Sequence, residues 1–110
     1  MEMVFEAGIK DKPKIVALLE ADPYGEKSFS RNGYKVKDGA QVGQDREKCY
    51  VFMRATDEFA SFARGKLKEL AGAEGKGIVS ESAPEVAAAV AKAIADEENN
   101  AEVGFGSLFG

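Results

Sequence analysis

Residues 2–9 alternate. Met3, Phe5, Ala7 and Ile9 fall on one face and Glu2, Val4, Glu6 and Gly8 on the other, the period of a half-buried strand. The next stretch changes period. Asp11 stands where a helix N-cap would and Pro13 in the first turn, and Ile15, Leu18 and Leu19 make one helical face. Asp22-Pro23-Tyr24-Gly25 should stop that helix, because the residue before a proline is pushed out of the helical region. Asn32-Gly33 fits a type I′ hairpin turn with Phe29 before it and Tyr34 or Val36 after it, or else a kink in one longer strand. Residues 37–48 are polar and glycine-containing and read as a loop. The near-continuous apolar run from Cys49 to Ala55 reads as a strand buried on both faces.

Two stronger helical patterns follow. Thr56 or Asp57 caps the first, whose stripe is Phe59, Phe62, Ala63, Leu67 and Leu70, with Gly72 as its stop. Gly65 inside it weakens the helix by about 1 kcal/mol relative to alanine, or marks a close approach by another element. A short strand is expected in 75–80. Ser82 and Glu85 have capping-box spacing before the second helix, whose face is Val86, Ala89, Val90, Ala93 and Ile94. The order is strand, helix, strand or hairpin, strand, helix, strand, helix. It predicts an α+β fold: a ferredoxin-like or related two-layer sandwich with a mainly antiparallel sheet and helices on one face, plus a C-terminal helix and tail. Residues 1–96 form a single domain, and 97–110 form an acidic-to-apolar tail. The expected core is Phe5, Ile15, Leu19, Val51, Met53, Phe59, Phe62 and Leu67.

Composition narrows the chemistry. The chain has 110 residues, 45% hydrophobic and 31% charged, which fits one folded domain. Net charge is −4 and argues against a binder that relies on overall basicity. The charge is uneven. From Ser82 onward Glu85, Asp96, Glu97, Glu98 and Glu102 face the single base Lys92. Cys49 is the only cysteine, so no internal disulfide is expected, and a reducing cytoplasm is the natural compartment. No basic-then-apolar leader and no run long enough for a membrane span is expected. Histidine is absent, which removes Ser-His and Cys-His pairs and imidazole metal sites. An enzyme would need carboxylates or lysines.

Several motifs read as structural. The glycine spacing in 72–77 fails the phosphate-loop pattern. Asp38, Asp45 and Glu47 lack the register of a calcium loop. Cys49 opens an apolar strand, where a thiol is packed rather than reactive. No catalytic group, cofactor or metal ligand is assigned. Arg31, Tyr34, Lys35, Lys37, Arg46 and Lys48, with Phe29 nearby, make a candidate RNA-binding cluster, against the plainer reading of a charged solvent face.

The core resembles the small dimerising subunit of the KEOPS tRNA-modification complex. The matching residues are Leu19, Glu20 and Asp22 at the end of the first helix, then Ala55, Asp57, Ser61, Phe62 and Arg64 entering the second. The resemblance implies a non-catalytic homodimeric scaffold. The C-terminal residues 97–110 are similar to the tip of the archaeal acidic ribosomal stalk protein, an acidic linker running into an apolar end. That similarity implies a translational GTPase as partner, contacted by Phe105, Leu108 and Phe109.

The tail has two physical readings. At helical spacing, positions 105, 108 and 109 share a face suited to a partner's groove. At strand spacing, Val103, Phe105, Ser107 and Phe109 share one and would close the core. The expectation is a non-catalytic cytoplasmic interaction or scaffold protein linked to translation or tRNA modification, with Val103, Phe105, Leu108 and Phe109 as the partner-binding residues. The alternatives are a small enzyme or ligand-binding domain, and an RNA binder through residues 27–48.

Overall fold

The computed structural model describes residues 1–21, 25, 27–70 and 77–109, with 100–109 described by backbone alone. The apolar run at Cys49 forms β3 (Lys48–Arg54), and the alternating N-terminal segment forms β1 (Glu2–Gly8) beside it. With β2 (Lys35–Asp38) and β4 (Val79–Glu81) they make a four-stranded sheet in the order β2-β3-β1-β4. All three pairings are antiparallel. Placing the first and third strands centrally gives the ferredoxin-like arrangement that the element order predicts.

Strand parity divides the sheet into two unlike faces. On the first, Met3, Phe5 and Ala7 of β1 and Cys49, Val51 and Met53 of β3 are buried with Ile15 and Leu19 of α1 (Lys12–Glu20). Ala60, Ala63 and Leu67 of α3 (Asp57–Lys68) complete this core. Six of the eight residues expected in the core belong to it, and the other two, Phe59 and Phe62, are partly buried and pack against it. On the second face, Val4, Tyr50 and Phe52 pack against Val90 and Ile94 of α4 (Pro84–Phe109). The double-sided burial of β3 is therefore real. Helices α1 and α3 lie on one face, and the C-terminal helix covers the other.

Local signals explain most boundaries. The Thr56 hydroxyl accepts a hydrogen bond from the Phe59 N–H at 3.2 Å and caps α3. Arg64 donates two 3.0 Å hydrogen bonds to Glu81, tying α3 to β4. No atom would lie within 4 Å of a Cβ at Gly65, so that glycine is a tolerated weakness and not a close approach. At Gly39 a Cβ would stand 1.7 Å from the Asp45 carbonyl oxygen, so only glycine closes the β2–β3 connection.

Three expectations are corrected. Asn32-Gly33 is not a hairpin turn. Residues Phe29–Asn32 form a one-turn helix, α2, which Ser28 caps by accepting from the Arg31 N–H at 3.1 Å. Gly33, at φ 86°, ends it, and its N–H donates to the Phe29 carbonyl at 2.9 Å. The hairpin is instead β2–β3, joined through the 3-10 turn Gly39–Val42. Ser82 does not cap α4. The helix starts at Pro84, and the buried Ser82 hydroxyl lies towards Glu6 rather than over the helix end. Residues 97–109 are not a strand, because α4 continues through them to Phe109. The proposed stop at 22–24 and the glycine-rich stretch 71–76 lie outside the described residues.

Candidate functional site

The second face of the sheet gathers the chain's chemistry. Register places Lys35 directly across from Phe52 and Lys37 directly across from Tyr50. On the other side of β3, Val4 lies across from Phe52 and Glu6 across from Tyr50. Because side chains alternate along a strand, one face carries Lys35 and Lys37, then Lys48, Tyr50, Phe52 and Arg54, then Glu2, Val4 and Glu6. Two aromatic rings sit in the middle, with cations along one side and at both ends. The Arg54 guanidinium stands over the Phe52 ring, 5.1 Å from its centroid.

In this conformation each of those cations has a carboxylate. Lys35 pairs with Glu98, and Lys37 with Glu97 at 2.9 Å, so both are held by α4. Lys48 donates to Glu6 at 2.7 Å and Arg54 to Glu2 at 3.3 Å, both on β1. The Lys35 ammonium, by hydrogen bond and charge, holds the Glu98 carboxyl below the usual carboxylate range. Glu6 is pulled two ways. Burial pushes it up, but the Lys48 hydrogen bond and the nearby Ser82 hydroxyl leave it lowered. Burial, with the Glu6 charge, pushes the Tyr50 phenol up, so the ring stays neutral at physiological pH.

α4, together with Val42 of the 3-10 turn, seals the rings almost completely, leaving Tyr50 and Phe52 3% exposed each. The seal is incomplete at one end. A pocket of about 320 Å³ opens beside the Lys35–Glu98 pair, lined by Asn32, Tyr34, Lys35, Phe52, Arg54 and Glu98. The Asn32 side-chain amide donates to the Arg54 carbonyl at 3.1 Å and fixes α2 against this rim.

The six residues of the sequence-predicted RNA cluster do not converge. Lys35, Lys37 and Lys48 share the second face. Tyr34 packs against the opposite core and reaches only the rim of the pocket beside Lys35, Arg31 lies exposed on α2, and Arg46 lies exposed in the β2–β3 connection. Phe29 is also in the opposite core, between Phe59 and Phe62 at 5.6 and 5.8 Å. The aromatics that do share a face with the lysines are Tyr50 and Phe52. Their signal was present in the sequence, as the period-two run Lys48, Tyr50, Phe52, Arg54.

The remaining candidates resolve simply. Cys49 is fully buried, and burial pushes its thiol up, away from thiolate chemistry. Asp38 pairs with Lys12 at 2.6 Å, and Asp45 accepts from the Glu47 N–H at 2.9 Å. No group of acids or thiols able to hold a metal occurs among the described residues. None of the described helices is long and apolar enough to cross a membrane. Val103, Phe105, Leu108 and Phe109 all lie on the helical backbone of α4. No family model, curated protein or solved structure matches this chain.

Proposed function

We propose that this protein is a non-catalytic interaction module that presents the distal end of α4 to a protein partner. One observation carries the reading: among the residues whose side chains are described, the last ion pair of α4 with the sheet is at Glu98, and the helical backbone continues to Phe109. At 1.5 Å per residue that is roughly 16 Å of further helix. Positions 105, 108 and 109 have the spacing of a helix-in-groove anchor. Asp96, Glu97, Glu98 and Glu102 precede them and give the approach its negative charge. The likeness of this segment to the acidic stalk tip makes a translational GTPase the partner to test first. The likeness of the core to the KEOPS subunit adds a scaffold role in tRNA modification, in which two copies would pair.

The test is deletion of 100–110, followed by calorimetric titration against a purified archaeal translational GTPase and a thermal melt. Loss of binding with an unchanged melting temperature supports the anchor. A fall of several degrees, with no binding to lose in the full chain, overturns it.

A further inference from the structure

The second face of the sheet supports an inference that does not depend on the distal helix. It combines two aromatic rings, cations directly beside them and an acidic cover. The charge distribution explains the cover. Residues 1–83 hold 14 acids and 14 bases, so the entire net charge of −4 resides on 84–110, the α4 region. That acidity meets the face where its lysines stand, through Glu97 on Lys37 and Glu98 on Lys35. The helix thus supplies the face with carboxylates in the positions that phosphates would take.

We propose that this face is a platform for single-stranded nucleic acid, and that α4 is a displaceable cover which keeps it closed. Tyr50 and Phe52 are two residues apart on β3, about 7 Å along the strand, which gives each ring room for one base. Stacking on strand-borne aromatics requires bases that are not already stacked in a duplex. Lys35 and Lys37, each across from one ring, stand where the phosphates of two successive nucleotides would run. Arg54 over Phe52 adds a guanidinium plane against which a base can lie.

The pocket at Asn32, Lys35, Phe52, Arg54 and Glu98 is the entry point. It exposes one end of the platform beside the ion pair that must break first. A strand entering there exchanges the Glu98 and Glu97 carboxylates for phosphates on the same two lysines. The exchange then propagates towards Tyr50. An overall charge of −4 does not oppose binding, because the acidic element is the one that leaves.

The test uses the full chain and fluorescence anisotropy at low salt. The probes are labelled oligouridylate and oligothymidylate of about 8 nucleotides, within the usual span of one small binding domain, and an RNA duplex. Glu97→Gln with Glu98→Gln weakens the cover and should tighten single-strand binding on the order of tenfold over the unmodified protein. Affinity should fall with salt at a slope of about −0.7 per phosphate engaged. Adding Phe52→Leu should remove most of that binding. If this variant does not fold by circular dichroism, Lys35→Gln with Lys37→Gln in its place should do the same.

Equal affinity for the two single strands indicates stacking and charge alone, and a preference for RNA adds contacts to the 2′-hydroxyl. Both support the platform. Duplex bound as well as single strands overturns it. So does a folded Glu97→Gln, Glu98→Gln protein that binds neither single strand.

Discussion

The two faces of the sheet are covered by helices in different ways. On the first, α1 and α3 bring Ile15, Leu19 and Leu67, and a cluster of Phe29, Phe59 and Phe62 closes the end. Branched and aromatic side chains interlock there. On the second, α4 offers alanines around Val90 and Ile94, and it is pinned near its middle by two lysine–glutamate pairs. A fully buried Val, Leu, Ile or Phe contributes about 1.5–3 kcal/mol. Exposed ion pairs contribute about 0–1 kcal/mol each. The first face therefore holds the fold together. The second is a sheet surface with its own chemistry under a lighter cover. In a domain with all-antiparallel pairing, a second covered face is not required for folding, so its aromatic and basic content calls for a functional account.

The largest expected effect is on the first face. Leu19→Ala removes a side chain with no exposure and should lower unfolding free energy by about 2–5 kcal/mol in denaturant titration. Val90→Ala on the second face, equally buried, should lose less than half as much, because the cover can come away without the sheet melting. Equal losses would break the comparison.

Phe62→Ala comes next. A fully buried phenylalanine would cost about 3–5 kcal/mol. Phe62 is half-buried at the edge of the aromatic cluster, so a loss of about 1–3 kcal/mol is expected in the same titration.

Acid should separate the two faces. The Lys35 ammonium holds the Glu98 carboxyl below the usual carboxylate range in the folded protein. A lowered carboxyl contributes stability that is complete above its unfolded value and is lost as pH falls through the lower folded value. Lowering the pH below the ordinary glutamate value of about 4.3 should therefore weaken the hold on α4, while on the first face the comparable pair, Arg64–Glu81, lies at the rim and the centre stays packed. Amide chemical shifts of 90–98 should move before those of 15–19 in the first-face core.

The smallest effect is a gain. The site of a Cβ at Gly65 is open, so Gly65→Ala should stabilise by about 0.5–1 kcal/mol through helix propensity alone. A loss would place an unseen neighbour on that side of α3.

Period-two and period-3.6 patterns revealed most of the fold, because β1, β3 and α3 each bury a regular set of positions. They failed at Phe29–Gly33. There the Asn-Gly pair supplies a positive φ as expected, but tertiary packing of Phe29 between two phenylalanines makes it the end of a helical turn. The same misplacement assigned Tyr34 and Phe29 to the basic cluster. Which aromatics accompany Lys35 and Lys37 depends on the register between β2 and β3, a long-range pairing that neither segment encodes alone. The acidic content of α4 was visible in the sequence; that it would land on those lysines was not.

Native-state hydrogen exchange on the unmodified protein tests the central claim most directly. If α4 is a cover, the amides of 87–98 should exchange through an opening at least about 2 kcal/mol easier than global unfolding, while β1, β3 and α3 exchange only with the whole domain. If α4 amides share the global unfolding energy and its denaturant dependence, the helix is part of one indivisible core and the platform beneath it is not accessible.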